Sequence, residues 1–232
     1  MSREGTSFQV AFDGLASALN RTPTEVAGTA QLQTKCLDVF NRAYRRGYNK
    51  RSWEDAWDGD NYTPASGFVD FSGLKDARRF EVWSADPRPA GNSAYGVRYT
   101  TTKGGLTLTD GETSVFILSM PKARKFTTIA WDIATTYASG ATALFTDGHV
   151  YESLQDDNTG HSPDTEADWW QVVPVLDVLL EFTMAYASGT YLLETGKEQA
   201  GAQRRSDALI ELEDAAKAEY FRLAKAAWRP KP

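Results

Sequence analysis

The chain has 232 residues, and its 25 Lys and Arg against 31 Asp and Glu give a net charge of −6 at pH 7. At roughly 150 residues per domain, this length fits one or two domains. The acidic balance argues against a protein whose main partner is nucleic acid, because such proteins usually carry a basic patch or stripe. The single cysteine, Cys36, excludes a small secreted scaffold held together by internal disulfides.

The sequence also lacks the usual signs of export, membrane insertion and histidine chemistry. Residues 1–20 contain no apolar run typical of a signal peptide, and no apolar stretch approaches the roughly 20 residues that span a bilayer. The two histidines, His149 and His161, have no cysteine or second histidine at zinc-ligand spacing. We therefore expect a soluble protein made in the cytoplasm, with no membrane partner, metal or cofactor. The scarcity of histidine also argues against an enzyme.

The N-terminal region has the periodicity of helices. Apolar residues at three-to-four spacing predict a helix over residues 7–20. Thr22 to Glu25 then has the form of a capping box with proline at the first helical position. It predicts a long helix from there to about Tyr48, ending in basic residues that suit the negative end of a helix dipole. Asp58-Gly59-Asp60 is interpreted as a polar break after this helix.

Strand patterns replace the helical ones between about residues 66 and 129. Short β-branched or aromatic runs bounded by turn residues predict strands at 80–83, 95–101, 106–108 and 114–119. Asp110-Gly111 lies between the last two runs and predicts a hairpin there.

Helical periodicity returns after Pro174. One apolar helix is predicted to end near Glu194, with Gly196 as its stop, and a final helix is predicted over about 197–228. Each helix alone would expose an apolar stripe, so the helices at the two ends of the chain are predicted to pack together.

A central segment, 131–173, differs from both flanks because it contains eight acidic residues and no lysine or arginine. It also contains both histidines and three of the seven tryptophans. We interpret it as a separate small β module. The sequence thus predicts an α+β fold with a helical core from residues 1–65 plus 174–232, a β-strand region at 66–130, and this acidic, aromatic-rich insert.

The order of these parts resembles the head-to-tail adaptor, or head-completion, proteins of tailed bacteriophages. The stretches that carry the resemblance are Phe40-Asn41-Arg42-Ala43-Tyr44-Arg45-Arg46 followed by Trp53 and Trp57, the strand segment Glu81-Val82-Trp83-Ser84-Ala85-Asp86-Pro87-Arg88, and Glu194-Thr195-Gly196-Lys197 between the closing helices. The resemblance implies a structural virion protein of the neck, made in the host bacterial cytoplasm. It also implies a ring of about twelve copies on the portal ring, which presents a surface to the next neck or tail protein. Packaged DNA would pass nearby without sequence-specific binding.

The insert is similar instead to small chitin-binding-type carbohydrate modules. The matching residues are Trp131-Asp132, Tyr137, Gly140, Asp147-Gly148-His149-Val150-Tyr151, Asn158-Thr159-Gly160, Pro163 and Asp168-Trp169-Trp170-Gln171. Leu144-Phe145 departs from that pattern, which usually has Val-Tyr or Val-Val, and this weakens the case for sugar binding.

Three groups of side chains are candidates for binding. The aromatic residues of the insert are either glycan-stacking surfaces or the core of a small β unit: Trp131, Tyr137, Tyr151, Trp169 and Trp170. A basic group either contacts DNA phosphates or an acidic partner, or complements its helix dipole: Arg42, Arg45, Arg46 and Lys50. The C-terminal group has the residue types enriched at interfaces, and the adaptor resemblance implies that it engages the portal unless it packs locally: Tyr220, Phe221, Arg222, Trp228 and Arg229.

Two other functions are compatible with the sequence. The chain is alternatively a carbohydrate-binding protein that uses the 131–173 module, with the helices as a scaffold. It is also compatible with a polysaccharide-cleaving enzyme that uses a local group of acids: Glu54, Asp55, Asp58 and Asp60. We predict no catalytic role for these acids, because they lie in a polar stretch around Gly59 where hydration explains them.

Overall fold

A computed structural model describes residues 5–50, 58–70, 77–87, 94–102, 104–109 and 111–227, without the side chains of 58, 77–79 and 219–227. The fold is α+β, as predicted. The chain divides into two compact units: Met1–Lys50 with Ala123–Ala215, and Arg51–Lys122 with Ala216–Pro232. The β-strand unit therefore begins before the predicted position 66, because residues 58–62 already form a strand.

The first unit contains the helices. They are α1 (Phe8–Ala18), α2 (Pro23–Ala27), α3 (Ala30–Lys50), α4 (Asp177–Glu194) and the first part of α5 (Glu198–Ala227). The predicted capping box is present, since Thr22 accepts from the Glu25 N–H and the Glu25 carboxylate accepts from the Thr22 N–H. The single long helix predicted from Thr22 is wrong, because α2 ends at its C-cap Gly28 and α3 starts anew at Ala30.

Phenylalanine rings form the centre of the helical core, where α1 and α3 meet the segment around Phe126 that leads into the insert. Phe8 stacks on Phe126 at 5.2 Å between ring centroids, and Phe40 meets both rings edge-on at 5.5 Å. All three side chains are fully buried, and burial of each such ring stabilises the fold by about 1.5–3 kcal/mol. Helix α4 packs against α1 and α3, so the predicted pairing of helices from the two ends of the chain is confirmed.

The insert forms a three-stranded antiparallel sheet within this first unit. Its strands are β7 (Thr142–Leu144), β8 (Val150–Ser153) and β9 (Trp170–Val173), with β8 in the middle. Two backbone contacts connect the sheet and its exit to the N-terminal segment: Gln9 N–H donates to the Gly148 carbonyl at 2.9 Å, and Thr6 forms a bridge with Val175. The insert therefore belongs to the same compact unit as the helices.

The second unit is built from two three-stranded antiparallel sheets. One has the order β1-β6-β3 and contains β1 (Asp58–Tyr62), β3 (Ala77–Trp83) and β6 (Val115–Pro121). The other has the order β2-β5-β4 and contains β2 (Phe68–Asp70), β4 (Tyr99–Thr102) and β5 (Gly105–Leu108). Both sheets contribute to one apolar core, made of Val69, Val82, Val97, Leu106, Leu108, Val115 and Ile117.

Two sequence predictions fail in this unit. The hairpin predicted at Asp110-Gly111 is wrong, because β5 pairs with β2 and β4 whereas β6 pairs with β1 and β3. The polar break predicted at residues 58–60 is also wrong, because these residues pair with 117–119 of the apolar strand β6. Pairing with a buried central strand overrides the weak strand propensity of Asp and Gly.

Candidate functional site

Asn41, on α3, lies at the entrance to the insert. Asn41 is 7% exposed; its amide oxygen accepts from the Phe126 N–H at 2.8 Å, and its amide nitrogen donates to the Phe126 carbonyl at 3.0 Å. The same nitrogen also donates to the Leu37 carbonyl at 3.1 Å, so all of its donors have partners. Asn41 thereby fixes the backbone that leads from the second unit into the insert.

Tyr44 fixes the chain at the other end of the insert. Its hydroxyl donates to the Pro174 carbonyl at 3.1 Å, directly after β9, and its ring packs edge-on against Phe126 at 4.9 Å. Asn41 and Tyr44 are three residues apart and therefore share one face of α3. One helix face thus holds both the entrance to the insert and its exit.

Most of the candidate stacking residues form the core of the insert. Tyr137, Tyr151 and Trp170 are 8%, 7% and 2% exposed, and Tyr137 meets Trp170 edge-on at 5.0 Å. The Trp170 indole N–H donates to the His161 carbonyl at 2.9 Å, and the Tyr137 hydroxyl accepts from the Asp132 N–H at 2.8 Å. These three side chains therefore present no open ring face for a sugar.

The other two candidates, Trp131 and Trp169, are half-buried. Trp131 packs edge-on against Phe145 at 5.5 Å. The Trp169 ring stacks on the His161 imidazole with 3.7 Å between centroids and 9° between planes. His161 in turn contacts the Glu166 carboxylate through Nδ1. Trp169 is thus the outward member of the Trp169-Trp170 pair, and His161 covers one of its two faces.

Glu152 and Asp147 are among the acids of the insert that have structural partners. Glu152 is 5% exposed and forms an ion pair at 2.8 Å with Arg124, which precedes the insert, while Gln171 donates to its carboxylate. The Tyr151 hydroxyl donates to Asp147 at 2.8 Å. Burial raises the pKa of Tyr151, and the hydrogen bond to Asp147 raises it further. Some of the carboxylates of the insert therefore stabilise its structure through ion pairs and hydrogen bonds.

The four residues of the predicted basic group differ in their contacts, and two of them form ion pairs. Arg42 pairs with Glu194 at 2.6 Å and with Asp38 at 2.9 Å, and the hydrogen bond to Glu194 is the main cause that raises its pKa. Lys50 pairs with Glu213. Arg46 instead lies over the ring of Tyr186, with 5.2 Å to the centroid, and Arg45 is exposed. Two of the four positive charges are thus neutralised within the chain.

The C-terminal candidates lie mostly outside the described residues. Tyr220, Phe221 and Arg222 are on α5, but their side chains are not described, and Trp228 and Arg229 lie beyond the described part of the chain. Of the acids considered for catalysis, Glu54 and Asp55 also lie outside it, and Asp58 and Asp60 are on β1.

The described residues contain no group of three His, Cys, Asp or Glu side chains arranged to hold a metal ion. None of the described helices is long and apolar enough to cross a membrane. No protein-family model matches the sequence, and no curated protein matches it.

Sequence reasoning missed several residues that the fold brings together. Tyr186 and Arg205 join Arg46, and Arg124 reaches Glu152. Phe126 was not distinguished either, although it lies at the centre of the aromatic core. These residues are separated by long stretches of chain, and no local pattern connects them.

Proposed function

We propose that the chain is a head-to-tail adaptor of a tailed bacteriophage, a neck protein that assembles as a ring on the portal and presents a surface to the next neck or tail protein. The observation that carries the proposal is the role of the stretch around Asn41 and Tyr44. The residues that resemble adaptor proteins are those that close the helical core, through Phe126 on one side and Pro174 on the other.

The helical core supports the same proposal. Helices from both ends of the chain pack together in one unit with the acidic insert, while the strand region belongs to the other unit. An adaptor of this kind acts mechanically, so its function needs a stable body and docking surfaces rather than a catalytic group. The C-terminal residues supply the proposed portal contact, since aromatic residues and arginine dominate binding energy at interfaces.

Cosedimentation of the full chain with its cognate portal ring tests this proposal. We expect the wild-type protein to sediment with the ring, and Phe221→Ala with Trp228→Ala to reduce the bound fraction at least tenfold, the usual order of effect when interface hot spots are removed. Ile210→Ala is a matched control, because Ile210 is an exposed apolar residue on the same helix, 59% accessible, outside the proposed contact. Equal binding by the wild-type protein and both variants would show that the C-terminal residues do not contact the portal.

Carbohydrate binding by the insert is the second candidate, favoured by the partial exposure of Trp131 and Trp169. Retention of the full chain on chitin or peptidoglycan tests it. Trp169→Ala would abolish retention if the half-exposed ring stacks on sugar. The matched control is Ile133→Ala, which removes an exposed apolar side chain, 61% accessible, from the same insert. No retention of the wild-type protein would exclude this function.

A further inference from the structure

Three helices bring two arginines to one tyrosine. The guanidinium of Arg46 on α3 lies 5.2 Å from the ring centroid of Tyr186 on α4, and that of Arg205 on α5 lies 4.8 Å from it. Arg205 also donates to the Tyr186 hydroxyl at 2.6 Å. The two guanidiniums are therefore no more than about 10 Å apart. We call Arg46, Tyr186 and Arg205 the Tyr186 cluster.

The hydrogen-bonding capacity of the cluster is incompletely used. Tyr186 is 5% exposed, and its hydroxyl accepts from Arg205, but no acceptor for its own proton exists among the described residues. Within the same part of the chain, the Arg46 side chain makes a ring contact and no hydrogen bond. A guanidinium has five N–H donors, so both arginines and the phenol retain donors for a ligand that accepts hydrogen bonds.

The positive charge of the cluster also lacks a paired carboxylate among the residues that the structure describes. In the described part of the chain, neither Arg46 nor Arg205 forms an ion pair with a carboxylate, in contrast to Arg42 and Lys50. The residues three and four positions away from each cluster member on its own helix include no acid. The Tyr186 ring contacts both cations but supplies no negative charge. An anion that contacts the two guanidiniums would supply it.

We infer that the Tyr186 cluster binds phosphate oxyanions, and that these belong to the backbone of double-stranded DNA. Guanidinium groups match phosphate geometry with paired N–H donors. A duplex carries one negative charge for about every 1.7 Å of its axis, so neighbouring phosphates can meet both arginines at once. The choice of DNA rests on the proposed adaptor function, in which packaged DNA passes the protein.

Fluorescence anisotropy with a short labelled duplex of arbitrary sequence, titrated with the full chain at several salt concentrations, tests the inference. We expect weak, sequence-independent binding that falls steeply with salt. Arg46→Ala and Arg205→Ala should each reduce the slope of log K against log salt by about one, the effect of losing one phosphate contact. Tyr186→Phe keeps the ring and removes one donor, so affinity should fall about fivefold.

Lys197→Ala is the matched control, because it removes one exposed positive charge at the turn between α4 and α5, outside the cluster. Arg205→Lys keeps the charge but loses the paired donors, so it should restore little of the affinity. Circular dichroism checks that every variant remains folded. If Lys197→Ala weakens DNA binding as much as Arg205→Ala, or if the cluster variants bind like wild type, the inference is wrong.

Portal cosedimentation of the same variants separates this inference from the adaptor proposal. DNA binding that depends on the cluster, without portal binding, would keep the phosphate site and overturn the adaptor. Portal binding without any DNA binding would support the adaptor proposal and overturn the phosphate site. If the wild-type protein does not bind DNA and the cluster variants lose portal binding, the cluster contacts an acidic partner protein, which contradicts the phosphate assignment.

Discussion

The Asn41 side chain forms a two-way hydrogen-bonded pair with the backbone of Phe126, 85 residues further along the chain. The pair is buried, and the Phe126 ring lies among the aromatic side chains of the helical core. One side chain thus joins the long N-terminal helix to the segment that leads into the insert, and its loss has a measurable cost.

Asn41→Ala tests that role directly. The substitution leaves the N–H and carbonyl of a fully buried residue without partners, and each such group costs about 1–3 kcal/mol. We expect the free energy of unfolding of the helical unit to fall by about 3 kcal/mol in urea denaturation. Gln31→Ala is the control, since Gln31 is exposed on the same helix and its loss should change stability by less than about 0.5 kcal/mol. An equal loss for both variants would contradict the role of Asn41.

Gly148→Ala tests how the hairpin of the insert contacts α1. Gly148 has φ +83°, and an added Cβ would lie 3.0 Å from the Cβ of Gln9. Gly160→Ala is a matched control, because Gly160 has φ +81° but open space around the added Cβ. Both variants incur the backbone cost of about 1–2 kcal/mol, and Gly148→Ala should lose about 1 kcal/mol more. Identical melting temperatures for the two variants would mean that α1 and the hairpin do not contact each other.

The ion pair of Arg124 and Glu152 should stabilise the insert more than a surface pair would. Glu152 is 5% exposed, so Glu152→Gln removes a buried charge that pairs with Arg124 and should lower the free energy of unfolding by about 2 kcal/mol. Asp168→Asn removes an exposed acid of the same insert and should have almost no effect. A double-mutant cycle with Arg124→Gln measures the coupling, and a coupling near zero would exclude the pair as a source of stability.

Tyr151 should make stability decrease at alkaline pH. Its pKa is raised in the folded protein, so its contribution is complete below the pKa of about 10 of an unfolded tyrosine and is lost as pH rises above that value. Urea denaturation from pH 8 upward should show a smaller decrease for Tyr151→Phe than for wild type. Parallel curves for the two proteins would show that Tyr151 does not titrate differently on folding.

Local patterns predicted the elements whose stability is local. The capping box at Thr22 and Glu25 and the stop at Gly196, with φ +82°, are both present. The strands at 80–83 and 106–108 were found because β-branched and aromatic runs mark buried strands. The apolar stripes at both ends of the chain predicted that the end helices pack together.

The features that local sequence patterns did not predict depend on contacts between segments that are distant in the chain. Strand β1 consists of Asp58-Gly59-Asp60-Asn61-Tyr62, a composition typical of a turn, and it becomes a strand by pairing with the buried β6. Strands β5 and β6 are adjacent in the sequence, and adjacency with a turn between them predicts a hairpin. The two strands belong to different sheets, which their sequences do not reveal. The partners of Asn41 and of Tyr186 likewise come from distant elements, so no spacing rule could have indicated them.

Electron microscopy of the purified chain mixed with its cognate portal ring tests the adaptor function most directly. The account predicts a second ring seated on the portal, formed by copies of this chain and absent when the portal is omitted. Free portal rings in the mixture, together with retention of the chain on chitin or peptidoglycan, would contradict it and would make the 131–173 insert the functional part of the protein.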